Sequence, residues 1–126
     1  FNDVLWQPGP SSSSVTRTDA NKQAWHTIGI SDTITTSDGL LELEGHWSYS
    51  TGVTNSGGEV GVRVDGKVEC RSGFGSLEAT GDAVAALGAV VVRPGPHTVE
   101  LVVRLQRSAA TYTHIGGGCL ATFQRR

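Results

Sequence analysis

The sequence predicts a single all-β domain: an antiparallel β-sandwich, jelly-roll-like, with about eight or nine short strands. Several segments alternate apolar and polar residues with a period of two, and glycine, proline or Asp-Gly turns separate them. The length of 126 residues fits one domain, and no segment has a convincing helical pattern. A small closed barrel is the alternative arrangement for strands of this number and spacing.

Residues 41–49 form the clearest strand. Leucine, glycine, tryptophan and tyrosine occupy its odd-numbered positions and polar residues its even ones, which predicts one buried and one solvated face. Glu42 and Glu44 share the solvated face, about 7 Å apart. Glycosidases place paired carboxylates at about that distance, but a regular strand implies no cleft. A solvated surface is therefore the favoured interpretation.

Two turns delimit the central strands. Asp65-Gly66 separates the alternating segments 60–64 and 67–70, and Asp-Gly in this position predicts a tight β-hairpin. Residues 93–96, Arg-Pro-Gly-Pro, form a second turn. Neither proline can donate to a strand ladder, so this turn marks the start of the next strand, the alternating segment 98–106.

Less regular segments complete the predicted sheets. Residues 83–92 could begin as a helical turn, but their β-branched end favours a strand. The runs Gly73-Phe74-Gly75 and Gly116-Gly117-Gly118 are interpreted as turns. The remaining strand candidates are residues 24–30, 33–36, 109–113 and 119–124.

Residues 1–14 are predicted to be an N-terminal arm and a flexible Pro/Gly/Ser stretch, ahead of a sandwich domain over residues 15–126. Leaving the apolar arm in water would forfeit the burial of two aromatic side chains, about 2–3 kcal/mol each. The arm is therefore expected to dock, either as the first strand of its own sandwich or, slightly favoured, on a neighbouring subunit. The candidate assembly contacts are Phe1, Val4, Leu5 and Trp6.

Charge and hydropathy exclude two classes of partner. A formal net charge of −2 and a pI near 6.1 give no attraction to phosphate backbones, so no nucleic acid is expected. The longest apolar run, residues 83–92, is far short of the roughly 20 residues of a transmembrane helix, so no membrane insertion is expected. Cys70 and Cys119 are interpreted as buried thiols, with a bridge between them as the alternative.

The sequence contains no recognisable catalytic, cofactor or metal-binding constellation. Its four histidines have no spacing that places two imidazoles on one ion, so no metal is predicted. No nucleophile elbow or phosphate-binding glycine loop precedes a helix, so no catalytic residue and no cofactor is assigned. A Ser-His-Asp triad assembled from distant residues, as in a small depolymerase, is the third-ranked hypothesis.

Four aromatic residues are candidate ligand contacts. Phe74, within a glycine-rich segment, is the aromatic most expected to be exposed. Tyr49 shares the apolar face of its strand with Trp47, where core packing is favoured, but it is retained as a candidate. The four that could stack on a sugar ring are Trp25, Tyr49, Phe74 and Tyr112.

Two motifs resemble segments common in tailed-phage virion proteins. Residues 62–67, Val-Arg-Val-Asp-Gly-Lys, resemble their V-D-G hairpin, and residues 93–101, Arg-Pro-Gly-Pro-His-Thr-Val-Glu-Leu, resemble their P-G-x-H-T-V-x-L strand entry. With a final strand over residues 118–123, the region 40–124 looks like the jelly-roll modules of head-decoration, fibre and tail-appendage proteins. These are similar in architecture to the C1q/TNF superfamily. The resemblance implies an oligomer, usually a trimer, displayed on a particle.

The expected function is a non-enzymatic structural or binding module of a phage particle, as head decoration or as a fibre or tail appendage. It would act through protein–protein contacts in a homo-oligomer, with other virion proteins as partners and the virion as its location. The alternative is a carbohydrate-binding, receptor-binding module, with a glycan as partner and a secreted location also open. That alternative requires an exposed aromatic ring beside polar hydrogen-bonding groups.

Overall fold

The computed structural model describes residues 2–6, 14–16, 24–51, 56–76, 82–105 and 111–125. These segments contain strands and tight turns but no helix, and thus none long and apolar enough to span a membrane. The nine strands found there are β1 (Asn2–Trp6), β2 (Ser14–Thr16), β3 (His26–Thr36), β4 (Gly39–Thr51), β5 (Ser56–Val64), β6 (Lys67–Ser76), β7 (Asp82–Val92), β8 (Gly95–Leu105) and β9 (Thr111–Arg125).

The strands form two separate antiparallel sheets. The five-stranded sheet has the order β1-β9-β4-β7, with the short β2 also paired to β9. The four-stranded sheet has the order β3-β8-β5-β6. Two stacked sheets rather than one closed ring make the molecule a β-sandwich, so the fold prediction is confirmed and the closed barrel is not formed by these strands.

The pairing is nested in the order of a jelly roll. Counting β1 and β2 as two parts of one strand, the first strand pairs with β9, β3 with β8, β4 with β7, and β5 with β6. The lateral pairs β4–β9 and β5–β8 then join these hairpin-like pairs into two sheets. Eight strands in two sheets with this connectivity are the jelly-roll arrangement.

The core lies between the sheets and follows from the period-two pattern. On β4 the odd-numbered side chains point inward, and Trp47 and Tyr49 are fully buried, with their rings stacked 4.9 Å apart. On β8 the residues from Val99 to Leu105 at alternating positions face them from the other sheet. Gly45 marks a close approach of the sheets, because a Cβ there would lie 2.9 Å from side-chain atoms of Val62 and Leu101.

Two pairs of strand candidates and two turn assignments need correction. Residues 26–30 and 33–36 belong to one strand, β3, whose ladder with β8 is irregular between Thr27 and Ser31, and residues 24–25 precede that strand. Residues 111–113 and 119–124 likewise lie in one long strand, β9, and residues 109–110 fall outside the described part. The glycine runs are not turns: residues 73–75 lie in β6 and residues 116–118 in β9.

Backbone pairing explains why these glycine runs remain extended. Gly116–Gly118 lie opposite residues 46–48 of β4, and the ladder shifts register next to them, between Ser48 and Tyr49. Glycine is common at such bulges because it tolerates the altered backbone. A glycine-rich segment therefore resembles a turn locally, although a long neighbouring strand satisfies its backbone groups.

The N-terminal segment forms a strand of the same chain. Residues 2–6 constitute β1, which pairs antiparallel with β9 through Asn2–Gln124, Asp3–Phe123, Val4–Thr122 and Trp6–Ala121. Of the two outcomes left open for the arm, the backbone therefore adopts the intramolecular one. The side chains of the candidate assembly contacts Phe1, Val4, Leu5 and Trp6, and the stretch over residues 7–13, lie outside the described part, so their role in assembly stays a prediction.

Both cysteines are free, buried thiols, which agrees with the first of the two interpretations. Burial raises the pKa of the Cys70 thiol and raises that of Cys119 strongly. A thiol held in its neutral form is a weak nucleophile. The two side chains therefore act as small apolar groups of the core.

Candidate functional site

The outward face of the four-stranded sheet carries a cluster of charged side chains around a tryptophan. Alternation on β8 points Glu100, Val102 and Arg104 outward, and β5 presents Glu59 and Arg63 beside them. We call this surface the Trp25 platform; it comprises Trp25, Thr27, Glu59, Arg63, Arg71, Glu100 and Arg104.

Arg63 and Glu100 form one half of the Trp25 platform. Arg63 donates from Nε to Glu100 Oε1 (2.9 Å) and from Nη2 to Glu100 Oε2 (3.0 Å), a bidentate pair. Thr27 Oγ1 donates to Glu100 Oε2 (2.7 Å) and accepts from Arg63 Nη2 (3.1 Å). The hydrogen bonds from Arg63 lower the pKa of Glu100 and those to Glu100 raise the pKa of Arg63, so both groups are charged at neutral pH.

Glu59, Arg104 and Trp25 form the other half. Glu59 accepts a hydrogen bond from Arg104 Nη2 through Oε1, and its Oε2 lies 3.5 Å from Arg71 Nε. The Arg104 guanidinium lies over the indole of Trp25, with Cζ 4.7 Å from the ring centroid, in a cation–π contact. Trp25 is half-buried, and the Arg71 side chain is 62% exposed at the margin.

The floor of the platform is apolar and inaccessible. Val102 points outward from β8, yet it is fully buried. Its neighbour across the ladder in β5 is Gly61, where a Cβ would lie 2.6 Å from the carbonyl oxygen of Cys70 and 3.0 Å from Val68 Cγ1. The charged layer therefore covers Val102, and the interlocked ion pairs hold the planar groups in fixed positions.

A second surface is a shallow depression of about 280 Å³ on the outward face of the five-stranded sheet. Carboxylates from β4 line one side, and Glu44 Oε1 lies 2.9 Å from His46 Nε2. Leu87 from β7, Leu120 from β9 and the polar Thr122 line much of the rest. The described residues of this depression include no aromatic ring.

A third feature joins the two motifs that carry the phage resemblance. Asp65, at φ 51°, and Gly66, at φ 85°, form the β5–β6 turn. Asp65 Oδ1 accepts from the Thr98 amide (2.9 Å), the Asp65 amide donates to the Thr98 carbonyl (2.9 Å), and Asp65 Oδ2 lies 2.7 Å from His97 Nδ1. His97 Nε2 lies 2.7 Å from the Arg93 carbonyl. We call this set the turn clamp; it ties the Asp-Gly hairpin to the Pro-Gly turn.

The structure separates the four candidate ligand contacts. Trp25 lies on the platform, as a half-buried ring beside polar groups. Tyr49 is fully buried against Trp47, so its assignment as a surface contact is wrong. Odd-numbered side chains of β4 point into the core, and Tyr49 is one of them. Phe74 and Tyr112 fall in β6 and β9, and their side chains lie outside the described part of the structure.

Sequence reasoning missed the charged members of the platform. Glu59, Arg63 and Arg104 looked like ordinary solvated positions of alternating strands. Their meeting depends on the β5–β8 register, which places Glu59 opposite Arg104 and Arg63 opposite Glu100. Opposite charges spaced four residues apart on both strands, 59/63 and 100/104, were the available signal. Within the described segments, no group of three metal-ligating side chains forms.

The sequence matches no protein-family model and no curated protein. Among solved structures, the chain is similar to the C-terminal domain of EclA, a sugar-binding protein. The match covers 86% of this chain and 78% of that chain, with 17% sequence identity and a TM-score of 0.51. The chain shares its fold with a sugar-binding domain. At this identity the likeness concerns the fold alone.

Two further structures have similar folds. One is the arabinose-bound α-L-arabinofuranosidase MgGH51. The match covers 94% of this chain and 26% of that chain, with 11% sequence identity and a TM-score of 0.53. The other is the CBM36-1 domain of a multidomain xylanase from the hindgut metagenome of Trinervitermes trinervoides, with 11% identity, 95% and 96% coverage and a TM-score of 0.47.

Proposed function

We propose that this chain is a non-catalytic carbohydrate-binding domain that holds a glycan on the Trp25 platform. The observation that carries the proposal is the half-buried indole of Trp25 beside guanidinium and carboxylate groups that ion pairs hold in place. The fold shared with a sugar-binding domain supports the same conclusion.

The chemistry of a sugar matches this combination of groups. A pyranose ring has an apolar C–H face, which packs on an aromatic ring, and hydroxyls at its rim that both donate and accept. Guanidinium groups donate to such hydroxyls, and carboxylates accept from them. Because Arg63, Arg104 and their partners are already ordered, binding a sugar costs little side-chain entropy.

The platform is a better candidate than the depression on the five-stranded sheet. The depression offers the carboxylates of Glu42 and Glu44 and the hydroxyl of Thr122, but its described lining gives a sugar ring no aromatic surface. It is also built around Leu87, a side chain 72% exposed, which suits an apolar contact better than a hydroxylated ligand.

The assignment to a phage particle stays a prediction from two sequence motifs. In this chain the motif residues Asp65, His97 and Thr98 bond to one another in the turn clamp. The motifs are therefore explained by the stability of the fold, and they carry no separate argument for a virion. A receptor-binding appendage would combine glycan binding with that location.

The proposal is tested with a glycan array followed by calorimetric titration of the best oligosaccharide. The Trp25→Ala variant is expected to weaken binding by about tenfold to a hundredfold, since a stacked aromatic ring contributes on the order of 1–3 kcal/mol. Leu120→Ala, on the other sheet, is the matched control and should bind like the wild type.

The outcomes separate the site from the function. If Leu120→Ala loses binding while Trp25→Ala does not, the glycan site lies in the depression and the platform assignment is wrong. If the wild type retains no glycan on an array that includes neutral, acidic and amino sugars, the carbohydrate-binding proposal itself is overturned.

A further inference from the structure

The charges of the Trp25 platform do not balance. Its charged members are three arginines and two glutamates, namely Arg63, Arg71, Arg104, Glu59 and Glu100. Arg63 and Glu100 neutralise each other in their bidentate pair, which engages both oxygens of Glu100. The remaining carboxylate, Glu59, is shared between Arg104 and Arg71. One positive charge on this face therefore has no counter-charge of its own among the described residues.

The unbalanced charge lies at Arg71. Arg104 donates to Glu59 and also covers the ring of Trp25, so both its charge and its planar face are engaged. Among the described residues, Arg71 has one ion pair, with Glu59 at 3.5 Å from Nε, and its side chain is 62% exposed. A guanidinium group has five N–H donors, so most of those on Arg71 stay open to a ligand.

The space beside Arg71 is open as well. Gly73 is the next residue of β6 on the same outward face; it is exposed and lies opposite Glu59 in the β5–β6 ladder. Among the described atoms beyond its chain neighbours, a Cβ added there would meet the Gly58 carbonyl oxygen at 3.8 Å, an ordinary contact distance. Because this position holds no side chain, a ligand group can reach the guanidinium of Arg71 along the surface of the sheet.

We propose that the glycan bound on the Trp25 platform is acidic, and that its carboxylate or sulfate group pairs with Arg71. The inference rests on the proposed function, because a glycan stacked on Trp25 places sugar residues on this face. A planar guanidinium with free N–H groups matches the oxygens of an oxyanion through two parallel hydrogen bonds. A neutral sugar would leave the extra positive charge of the platform uncompensated.

The width of the sheet sets the length of the ligand. Trp25 immediately precedes β3 and Arg71 lies in β6, and these are the outer strands of the order β3-β8-β5-β6. Three strand spacings of about 4.8 Å separate their backbones by roughly 14 Å. A single sugar ring does not span this distance, so the stacked ring and the acidic group belong to different residues of one oligosaccharide.

An oligosaccharide with one acidic group suits the platform better than a dense polyanion does. Arg71 is the cation of this face that lacks a full counter-charge in the described structure, whereas Glu59 and Glu100 would repel further negative charges. The chain as a whole carries a formal net charge of −2, so it has no long-range attraction for a polyanion.

The test uses an array in which each oligosaccharide is printed in an acidic and a neutral form. Uronic and sialic acids are paired with their methyl esters, and sulfated sugars with the same sugars without sulfate. The strongest binder is expected to be acidic, and calorimetric titration should show an affinity about threefold to tenfold higher than for its neutral form. The series that contains it, carboxylate or sulfate, identifies the anion.

Substitutions locate the effect. Arg71→Gln should bind the acidic and the neutral form equally, while Arg71→Lys should keep part of the preference because the charge remains. Trp25→Ala should weaken both forms by the same factor, since stacking does not depend on the acidic group. Lys67→Gln is the matched control and should retain the preference. It removes one positive charge from the same strand, but Lys67 is 81% exposed and lines a groove beside residues 90–92, away from the platform.

The outcomes separate this inference from the function on which it rests. Equal affinity of the wild type for the acidic and neutral forms overturns the inference and leaves the carbohydrate-binding proposal intact. A preference that survives in Arg71→Gln, or that Lys67→Gln abolishes as well, also overturns it, because the charge then does not act from Arg71. A wild type that binds none of the forms overturns both. Circular dichroism verifies that the variants are folded, which is expected because Arg71 and Lys67 are exposed.

Discussion

His97 is held between two hydrogen-bond acceptors. Its Nδ1 faces the carboxylate of Asp65 and its Nε2 faces the carbonyl of Arg93, each at 2.7 Å. A neutral imidazole has one N–H only, whereas the imidazolium donates from both nitrogens. The geometry therefore favours the charged ring. In agreement, the hydrogen bond to Asp65 raises the pKa of His97, and the hydrogen bond from His97 lowers the pKa of Asp65.

These directions define a pH window for the turn clamp. A raised His97 pKa gives stability that is complete below about pH 6.5 and is lost as pH rises through the folded-state value. A lowered Asp65 pKa gives stability that is complete above about pH 4 and is lost as pH falls through its folded-state value. The pair thus stabilises the fold most between about pH 4 and pH 6.5.

The Asp65→Asn variant tests this window. Asparagine also tolerates a positive φ, so the turn is preserved, but its amide can donate to a neutral His97 and the charge pairing is lost. The free energy of unfolding should fall by about 1 kcal/mol near pH 5.5, because Asp65 is half exposed and screened. The difference should shrink at about pH 9. Urea denaturation at both pH values measures it, and a pH-independent difference would show that His97 is not charged.

At the scale of elements, the two edge strands of the five-stranded sheet, β1 and β7, contribute differently to the sandwich. β1 pairs with β9 of its own chain at four positions, so its backbone belongs to the sandwich. β7 pairs with β4 along its whole length, and its Gly88 lies so close to β6 that a Cβ there would be 2.4 Å from the Cβ of Cys70. One edge strand therefore completes a sheet, and the other packs against the edge of the opposite sheet.

Deletion of residues 1–6 tests the contribution of β1 to the stability of the sandwich. The truncated chain loses the β1–β9 ladder and should be less stable by roughly 2 kcal/mol or more, at about 0.5–1.5 kcal/mol for each lost hydrogen bond. Thermal unfolding followed by circular dichroism measures this loss. A truncated protein that keeps its full stability would contradict the intramolecular role of β1 and favour docking of the arm on a neighbouring subunit.

At the scale of the whole molecule, the Trp25 platform and the depression face away from each other, because they lie on the outward faces of opposite sheets. The core lies between them, so a substitution on one surface is remote from the other.

This separation has a measurable consequence. Leu87→Lys should leave the calorimetric affinity for the soluble oligosaccharide equal to that of the wild type, because Leu87 and the Trp25 platform lie on different sheets. Calorimetric titration of both proteins provides the comparison, and a weaker affinity of Leu87→Lys would place the glycan in the depression.

Local patterns in the sequence were sufficient for most of the strands. Period-two alternation over residues 41–49 and the Asp65-Gly66 turn predicted β4 and the β5–β6 hairpin, because side-chain parity and turn conformation depend on neighbouring residues only. The same parity placed Tyr49 on an apolar face, and its retention as a ligand contact went against that pattern. Glycine-rich segments were misjudged, because a long neighbouring strand keeps them extended.

The sequence by itself determined the class of fold: buried and solvated faces, turn positions and the absence of a helical pattern together specify an antiparallel sandwich. Only the tertiary structure decided which residues meet. Trp25 and Arg104, Arg63 and Glu100, and Asp65 and His97 are far apart in the chain, and each pair forms because the β3–β8–β5 register or the approach of two turns brings it together. Register between distant strands is set by packing of the whole core, which no local pattern contains.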